Sequence, residues 1–274
     1  MTKAVRVMID PGHGGDDRWN RGPTGYIEAD GVLKIAKYLK EELEATGRFV
    51  AGMTREGDRT LTLRERAMIG KDFKADLLIS QHTNAFNGKA RGAEVFYSVK
   101  RPKDKETAGR MAKALAKHFN TVNRGAKTRK NDFGNDFYGV IRESVNYKIP
   151  TVFLVESLFH DNPGEEAYLK KEKNLKVIAK IQAEEIMRHY GIKPMKSGES
   201  KGDVLYRVQT GAFRIRKNAL RQEQKLLDLG YSTYLFQEGD LHKVQVGAYR
   251  VKKNAEKMRS KLKSEGFDAF IPGK

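Results

Sequence analysis

The chain has 274 residues, of which 53 are basic and 35 acidic, for a net charge of +18, with 39% hydrophobic residues. A length between one and two ordinary domains and this apolar content exclude wholesale disorder. The charge excludes an acidic solvating tail and favours a polyanionic partner: nucleic acid, a membrane surface or an anionic wall polymer. The absence of cysteine excludes disulfide scaffolds, thiolate zinc sites and cysteine nucleophiles.

The first ten residues do not read as a signal peptide: Arg6 interrupts the apolar run, which passes into Asp10-Pro11-Gly12 without a small-residue cleavage site. No stretch reaches the roughly 20 apolar residues needed to span a bilayer. The expectation is a protein made in the cytoplasm and not inserted in a membrane.

In chain order, Val5–Ile9 predicts a strand, and Val32, Leu33, Ile35, Ala36, Leu39 and Leu43 recur at helical spacing. Phe49–Met53 reads as a strand, Leu61–Phe73 as a helix, and Leu77–Ser80 and Val95–Ser98 as strands. Met111, Leu115, Phe119 and Val122 mark a helix, Thr151–Val155 a buried strand, and Leu175–Tyr190 a closing helix. This alternation predicts an α/β fold with a mostly parallel or mixed central sheet flanked by helices.

Residues 193–203 are rich in Pro, Gly, Ser and charge and read as a linker, giving domains 1–192 and 204–274. The second contains a repeat. Val208–Ala219 returns as Val244–Ala255 with eight of twelve positions identical at an offset of 36. The register continues through Leu226/Leu262, Gly230/Gly266 and Tyr231/Phe267. Two strand–helix–strand units predict one small α+β domain with a pseudo-twofold, because a solenoid needs three or more repeats.

Three predicted strands lead into side chains able to bind metal or move protons. Asp10-Pro11-Gly12-His13-Gly14-Gly15 follows the first, Ser80-Gln81-His82-Thr83-Asn84-Ala85 closes the next, and Leu154-Val155-Glu156-Ser157 ends the last. Ligands gather at the carboxyl ends of strands in parallel sheets. Taken singly, a His after a strand is more often structural, a Glu ending a buried strand is as often an ion-pair partner, and Glu28 reads as an ordinary first-turn carboxylate.

Taken in order, these motifs resemble the zinc-dependent N-acetylmuramoyl-L-alanine amidases over about residues 3–190, and the tail resembles a SPOR peptidoglycan-binding domain through its repeated Val-Gln-x-Gly-Ala-aromatic signature. The resemblance implies one Zn²⁺ held by His13, Glu28 and His82, and Glu156 as the catalytic carboxylate. Two imidazoles and a carboxylate leave an open position, the pattern of a hydrolytic zinc. It further implies cleavage of the amide between N-acetylmuramic acid and L-alanine, with bacterial peptidoglycan as partner and anionic wall polymers as a second attraction.

A phage endolysin or a sporulation autolysin is implied, acting on the wall after release by a holin or by mother-cell lysis. Departures from the family pattern are Gln81 in place of Ile, Ser157-Leu158 in place of Thr-Gly, and a longer segment over residues 129–137, read as a substrate loop.

Asn84 and Arg142 are the expected substrate contacts in the first domain, with a structural ion pair as the other reading of Arg142. Gln209, Phe213, Gln245 and Tyr249 are the expected glycan contacts of the tail, although strand alternation must turn some of them into the core. Trp19 reads either as a sugar-stacking or as a loop-packing side chain. His118, His160, His189 and His242 read as non-ligands. The alternatives are a zinc carboxypeptidase acting on stem peptides, a non-catalytic wall-binding protein, and a nucleic-acid binder. The last rests on charge alone, without a recognised binding motif.

Overall fold

The computed structural model describes residues 4–194, 206–229, 231, 233–249 and 252–272. The chain divides into two compact units, one of Val5–Lys40 with Gly52–Pro194, the other of Met1–Ala4, Glu41–Ala51 and Met195–Lys274. Most of the expected linker, and Gly230 of the repeat, lie outside the described residues.

The first part of the chain runs β1 (Val5–Pro11), α1 (Glu28–Glu44), β2 (Phe49–Met53), α2 (Leu63–Asp72), β3 (Leu77–Asn84), β4 (Ala93–Tyr97), α3 (Lys105–Phe119), β5 (Asn123–Lys127), α4 (Gly139–Asn146), β6 (Thr151–Phe159), α5 (Pro163–Leu169) and α6 (Glu172–His189). Its six strands are ordered β2-β1-β3-β6-β4-β5. β1 and β3, and β3 and β6, pair in parallel, whereas β4 lies antiparallel to β6 and carries β5 parallel to itself. The sheet is therefore mixed, as the sequence predicts.

Met8, Leu78, Phe96, Val152 and Leu154 form one core with Val140, Ile141 and Val145 of α4. The alternate residues Val7, Ile9, Leu77, Ile79, Phe153 and Val155 are buried as well. Strands apolar on both faces are what a sheet covered by helices requires.

Element ends differ from the sequence reading where local chemistry overrides apolar spacing. Thr62 caps α2 through a reciprocal bond with Glu65, so Leu61 precedes the helix. α3 stops at Phe119 because Asn120 turns left-handed (φ 49°), leaving Val122 exposed beyond it rather than on its apolar face. β3 and β6 outrun their predicted ends, so His82 and Glu156 are in-strand residues and not strand-end ones. Strand β5 has too little apolar periodicity to be read from sequence, and helices α4 and α5, of 8 and 7 residues, are too short for their pattern to stand out.

The C-terminal part runs β7 (Tyr206–Phe213), α7 (Arg216–Asp228), β8 (Tyr234–Glu238), β9 (Leu241–Tyr249) and α8 (Lys252–Ser264). It forms an antiparallel sheet ordered β7-β9-β8. Among the described residues, the closing strand of the second repeat is reduced to a bridge between Phe270 and Gln209. Val208, Ala219 and Leu226 meet their repeat mates Val244, Ala255 and Leu262 in one core.

Candidate metal centre and its surroundings

The segment after β1 is held by buried polar groups before any ligand is considered. Asp10 lies in the interior and accepts hydrogen bonds from Thr54 Oγ1 (2.6 Å), Ser80 Oγ (2.6 Å) and Arg66 Nη1 (2.8 Å). Arg66 also donates to the carbonyls of Pro11 and His13. Arg55 donates to those of Pro11, Gly12 and Ala29. His13 is consequently fixed in a left-handed conformation (φ 58°), which costs a non-glycine residue energy unless its surroundings impose it. Gly12 is required for a different reason: a Cβ there would lie 2.2 Å from the His82 ring.

Glu28, at the start of α1, reaches both histidines. Its Oε2 is 3.2 Å from His13 Nε2 and its Oε1 is 3.2 Å from His82 Nδ1; the two rings meet edge to face with centroids 5.0 Å apart. The three donor atoms lie within 4.8 Å of one another. Burial would raise the Glu28 carboxyl, but the bonds from His13 and His82 overcome it and hold the group well below the usual carboxylate range. For His13, burial is outweighed by Glu28 and by Asp17, whose Oδ2 sits 2.8 Å from Nδ1, and the imidazole is raised. A carboxylate on the far nitrogen of a ligating histidine fixes its ring and raises its basicity. Two nitrogen donors and a carboxylate, converging and partly open, fit a hydrolytic zinc.

Glu156 is the Cα partner of His82 across β3–β6 and of Glu94 across β6–β4. It is buried, and its Oε2 has no hydrogen-bond partner among the described residues. Burial first, then the charges of Glu28 and Glu94, push it well above the usual carboxylate range. An isolated carboxyl raised by burial beside a cluster of metal-type donors is the environment in which an enzyme places a proton-transfer group.

Glu94 was not read from sequence. It accepts from Asn84 Nδ2 (2.8 Å), Arg124 Nε (2.7 Å) and Lys127 Nζ (2.5 Å). Burial raises it, but Lys127 and Arg124 outweigh that and keep it below its ordinary value. Asn84 is thus beside the site with its amide nitrogen engaged. Arg142 donates to the carbonyls of Asp136 and Phe137, clasping the end of the 129–137 segment rather than forming an ion pair. His160, read as a loop-border residue, is buried beside the site: its Nδ1 lies 3.0 Å from Thr83 Oγ1 and 3.9 Å from Glu28 Oε2. Gln81 faces away, exchanging hydrogen bonds with Gln182 of α6.

Two further carboxylates on α5 tie the loops in place. Glu166 accepts from the backbone of Thr24 and Tyr26, just before Glu28, and Glu165 accepts from the backbone of Gly92 and Phe159. A turn that begins Asn162-Pro163 and opens a helix with two glutamates was the available signal for them.

In the C-terminal part, Gln209 and Tyr249 are buried, Tyr249 within the core, while Phe213 packs against that core. Gln245 faces Tyr234 across β8–β9. Tyr234, exposed, stacks on the half-buried Phe236 at 5.5 Å on the same face, an aromatic pair that the repeat signature does not mark.

The sequence model of the N-acetylmuramoyl-L-alanine amidase family matches residues 7–188, and that of the SPOR domain matches residues 202–273. The chain is 33% identical over 201 residues to an endolysin of Bacillus phage SPP1, covering 71% of this chain and 69% of that protein. It is 33% identical over 168 residues to the amidase LytC of Bacillus subtilis, covering 60% of this chain and 31% of LytC. Among solved structures, an N-acetylmuramoyl-L-alanine amidase from Clostridium difficile 630 superposes with a TM-score of 0.61 at 29% identity, covering 73% of this chain and all of that one.

Proposed function

This chain belongs to the N-acetylmuramoyl-L-alanine amidase family and carries a SPOR domain, and we propose that it hydrolyses the amide between N-acetylmuramic acid and L-alanine with a zinc ion held by His13, Glu28 and His82. The observation that carries the reading is the convergence of those three donors beside buried Glu156, whose Oε2 has no hydrogen-bond partner among the described residues. Zinc, when bound, supplies Lewis acidity toward the carbonyl and the water.

The protein's own groups do the rest. Asp17 and Glu28 orient the His13 ring, and Glu28 also holds His82. Asp10, Arg55 and Arg66 fix the turn that presents His13. A Glu156 Oε atom takes the proton of the attacking water and delivers it to the departing L-alanine nitrogen, and burial together with the charges of Glu28 and Glu94 raises this carboxyl toward the pH at which such transfer is efficient. Residues 1–192 form the catalytic domain and 204–274 the wall-binding domain, joined through 193–203. The net charge of +18 concentrates the enzyme on walls rich in carboxylate and phosphate. Among the described residues, no helix is long and apolar enough to cross a membrane. The resemblance to a phage endolysin favours action on the wall after release from the producing cell.

Mass spectrometry of digested peptidoglycan tests the reaction. Free stem peptides beginning with L-alanine are expected. Shortened peptides still attached to muramic acid would instead establish a carboxypeptidase. Chelation is expected to abolish wall lysis and zinc to restore it; full lysis by metal-free protein overturns the metal assignment.

A further inference from the structure

The loops that follow β1 and β3, next to the candidate metal donors, carry two of the most exposed aromatic side chains among the described residues. Trp19, 84% exposed, lies in the β1–α1 loop, and Phe86, 80% exposed, in the loop after β3. The roots of the loops are joined, since Gly12 donates to the Gln81 carbonyl and the His13 and His82 rings are in contact.

Neither aromatic is a loose end. Arg18, before Trp19, pairs with Asp30 and Asp58. Asn20, after it, touches His13 Nε2 at 3.1 Å and accepts from the Glu28 backbone. The backbone of Phe86 is anchored on Asp161, as is that of Gly88. Rings held out in water on braced backbone bury little area on folding and leave a flat apolar face free to stack on a ligand.

We infer that Trp19 and Phe86 are stacking platforms by which the catalytic domain itself grips the glycan strand on either side of the scissile arm. The inference rests on the amidase reading. The amide to be cut hangs from a sugar within a β-1,4-linked strand, so sugar rings extend both ways from the site. Pyranose rings present a flat array of C–H bonds that packs on an aromatic face, with hydroxyl and acetamido groups at the edge for hydrogen bonding. The two aromatic rings stand on separate loops, as single contacts, unlike the contiguous apolar area that a membrane or a protein partner would need.

Trp19 is the sole tryptophan, so its fluorescence reports this location and not the SPOR domain. Glycan strands stripped of stem peptides, titrated into the full chain, are expected to change that emission saturably. Phe86→Ala is expected to weaken the half-saturation several-fold. On intact walls, Trp19→Ala and Phe86→Ala are each expected to raise KM about tenfold with kcat nearly unchanged, as loss of uniform binding requires. Emission that ignores the glycan while the chain sediments with it, or that responds to free stem peptide instead, overturns the inference. Failure of wall hydrolysis with the emission response intact would count against the amidase reading and leave the glycan platform standing.

Discussion

Glu94 and Glu156 are Cα partners across the antiparallel pair β4–β6, so two buried carboxyls share one face of the sheet beside the candidate metal donors. They are driven apart in basicity. Lys127 and Arg124 overcome the effect of burial and keep Glu94 ionised, while burial, Glu28 and Glu94 together raise Glu156. Environments that separate two neighbouring carboxyls in this way assign one as a fixed charge and the other as the proton carrier.

Replacing Glu94 by Gln removes a negative charge from beside Glu156 and leaves Arg124 and Lys127 without their partner. Both changes favour the ionised form of Glu156 and lower its pKa. As a base, Glu156 loses activity as pH falls through that pKa, so the acid limb of kcat/KM is expected to move to lower pH in the variant. A pH–rate profile checks this, and an acid limb displaced upward would contradict the coupling.

Glu156→Gln retains the size of the side chain but cannot accept a proton. The expected loss in kcat is about 10²–10⁴-fold, the range for removal of a general base. Zinc content measured by elemental analysis is expected to be unchanged, because Glu156 is not among the three converging donors, whereas His13→Ala is expected to lose both metal and activity. Near-normal turnover by Glu156→Gln would assign the proton transfer elsewhere.

His13, His82 and Glu156 could be picked out in the chain because they sit in short motifs next to strongly apolar strands, whereas Glu28 reads as an ordinary first-turn carboxylate and entered only with the family resemblance. What was not legible is what holds those motifs. Arg55, Arg66 and Glu166 lie in stretches that look like solvated charge, and only the fold reveals that they are buried against backbone carbonyls and amides. Glu94 follows an alanine in an unremarkable strand, and its importance comes from the reversal of β4 against β6, which no local pattern announces. Gln81 shows the converse. A departure from the family pattern inside the central motif is satisfied on the opposite side of the sheet by Gln182.

Asp10 ties the site to stability. Burial alone would raise its carboxyl, but Arg66, Ser80 and Thr54 reverse this and hold it below its ordinary value. A carboxyl depressed in the folded state stabilises the fold above its unfolded pKa of about 3.9, and that contribution is lost as pH falls through the folded value. Asp10→Ala leaves Arg66 buried without its partner and is expected to cost about 3–5 kcal/mol. Denaturant unfolding at neutral pH measures the loss. In the variant, stability is expected to fall less steeply with acid below about pH 4 than in the parent. Equal acid sensitivity would remove Asp10 from the account.

In the C-terminal part, the repeat signature encodes a fold-back. Gly247 has φ 82°, and a Cβ on it would lie 2.7 Å from the Tyr249 hydroxyl; Gly211 has φ 95°, with the Phe213 ring at the same distance. Gly247→Ala therefore combines left-handed strain, about 1–2 kcal/mol, with a displaced core tyrosine. The expected result is a lowered Tm for the C-terminal unfolding step, read by calorimetry, with hydrolysis of small soluble muropeptides retained. An unchanged Tm would contradict both the backbone strain and the packing cost.

Tyr234 and Phe236 provide the contrasting case. They are Cα partners of Gln245 and Lys243 on β9, and their rings stack on the sheet face opposite Leu235 and Val244, which pack in the core. Since Tyr234 is more than half exposed, its truncation removes little packing. Tyr234→Ala is expected to shift Tm by no more than about 2–4 °C, since surface changes are worth about 0.5 kcal/mol or less. Retention on insoluble peptidoglycan in a sedimentation assay is expected to drop about tenfold, the effect of losing an aromatic anchor. If retention is unchanged while Gln209→Ala or Phe213→Ala abolishes it, the wall is read by the repeat signature and not by the aromatic pair on β8.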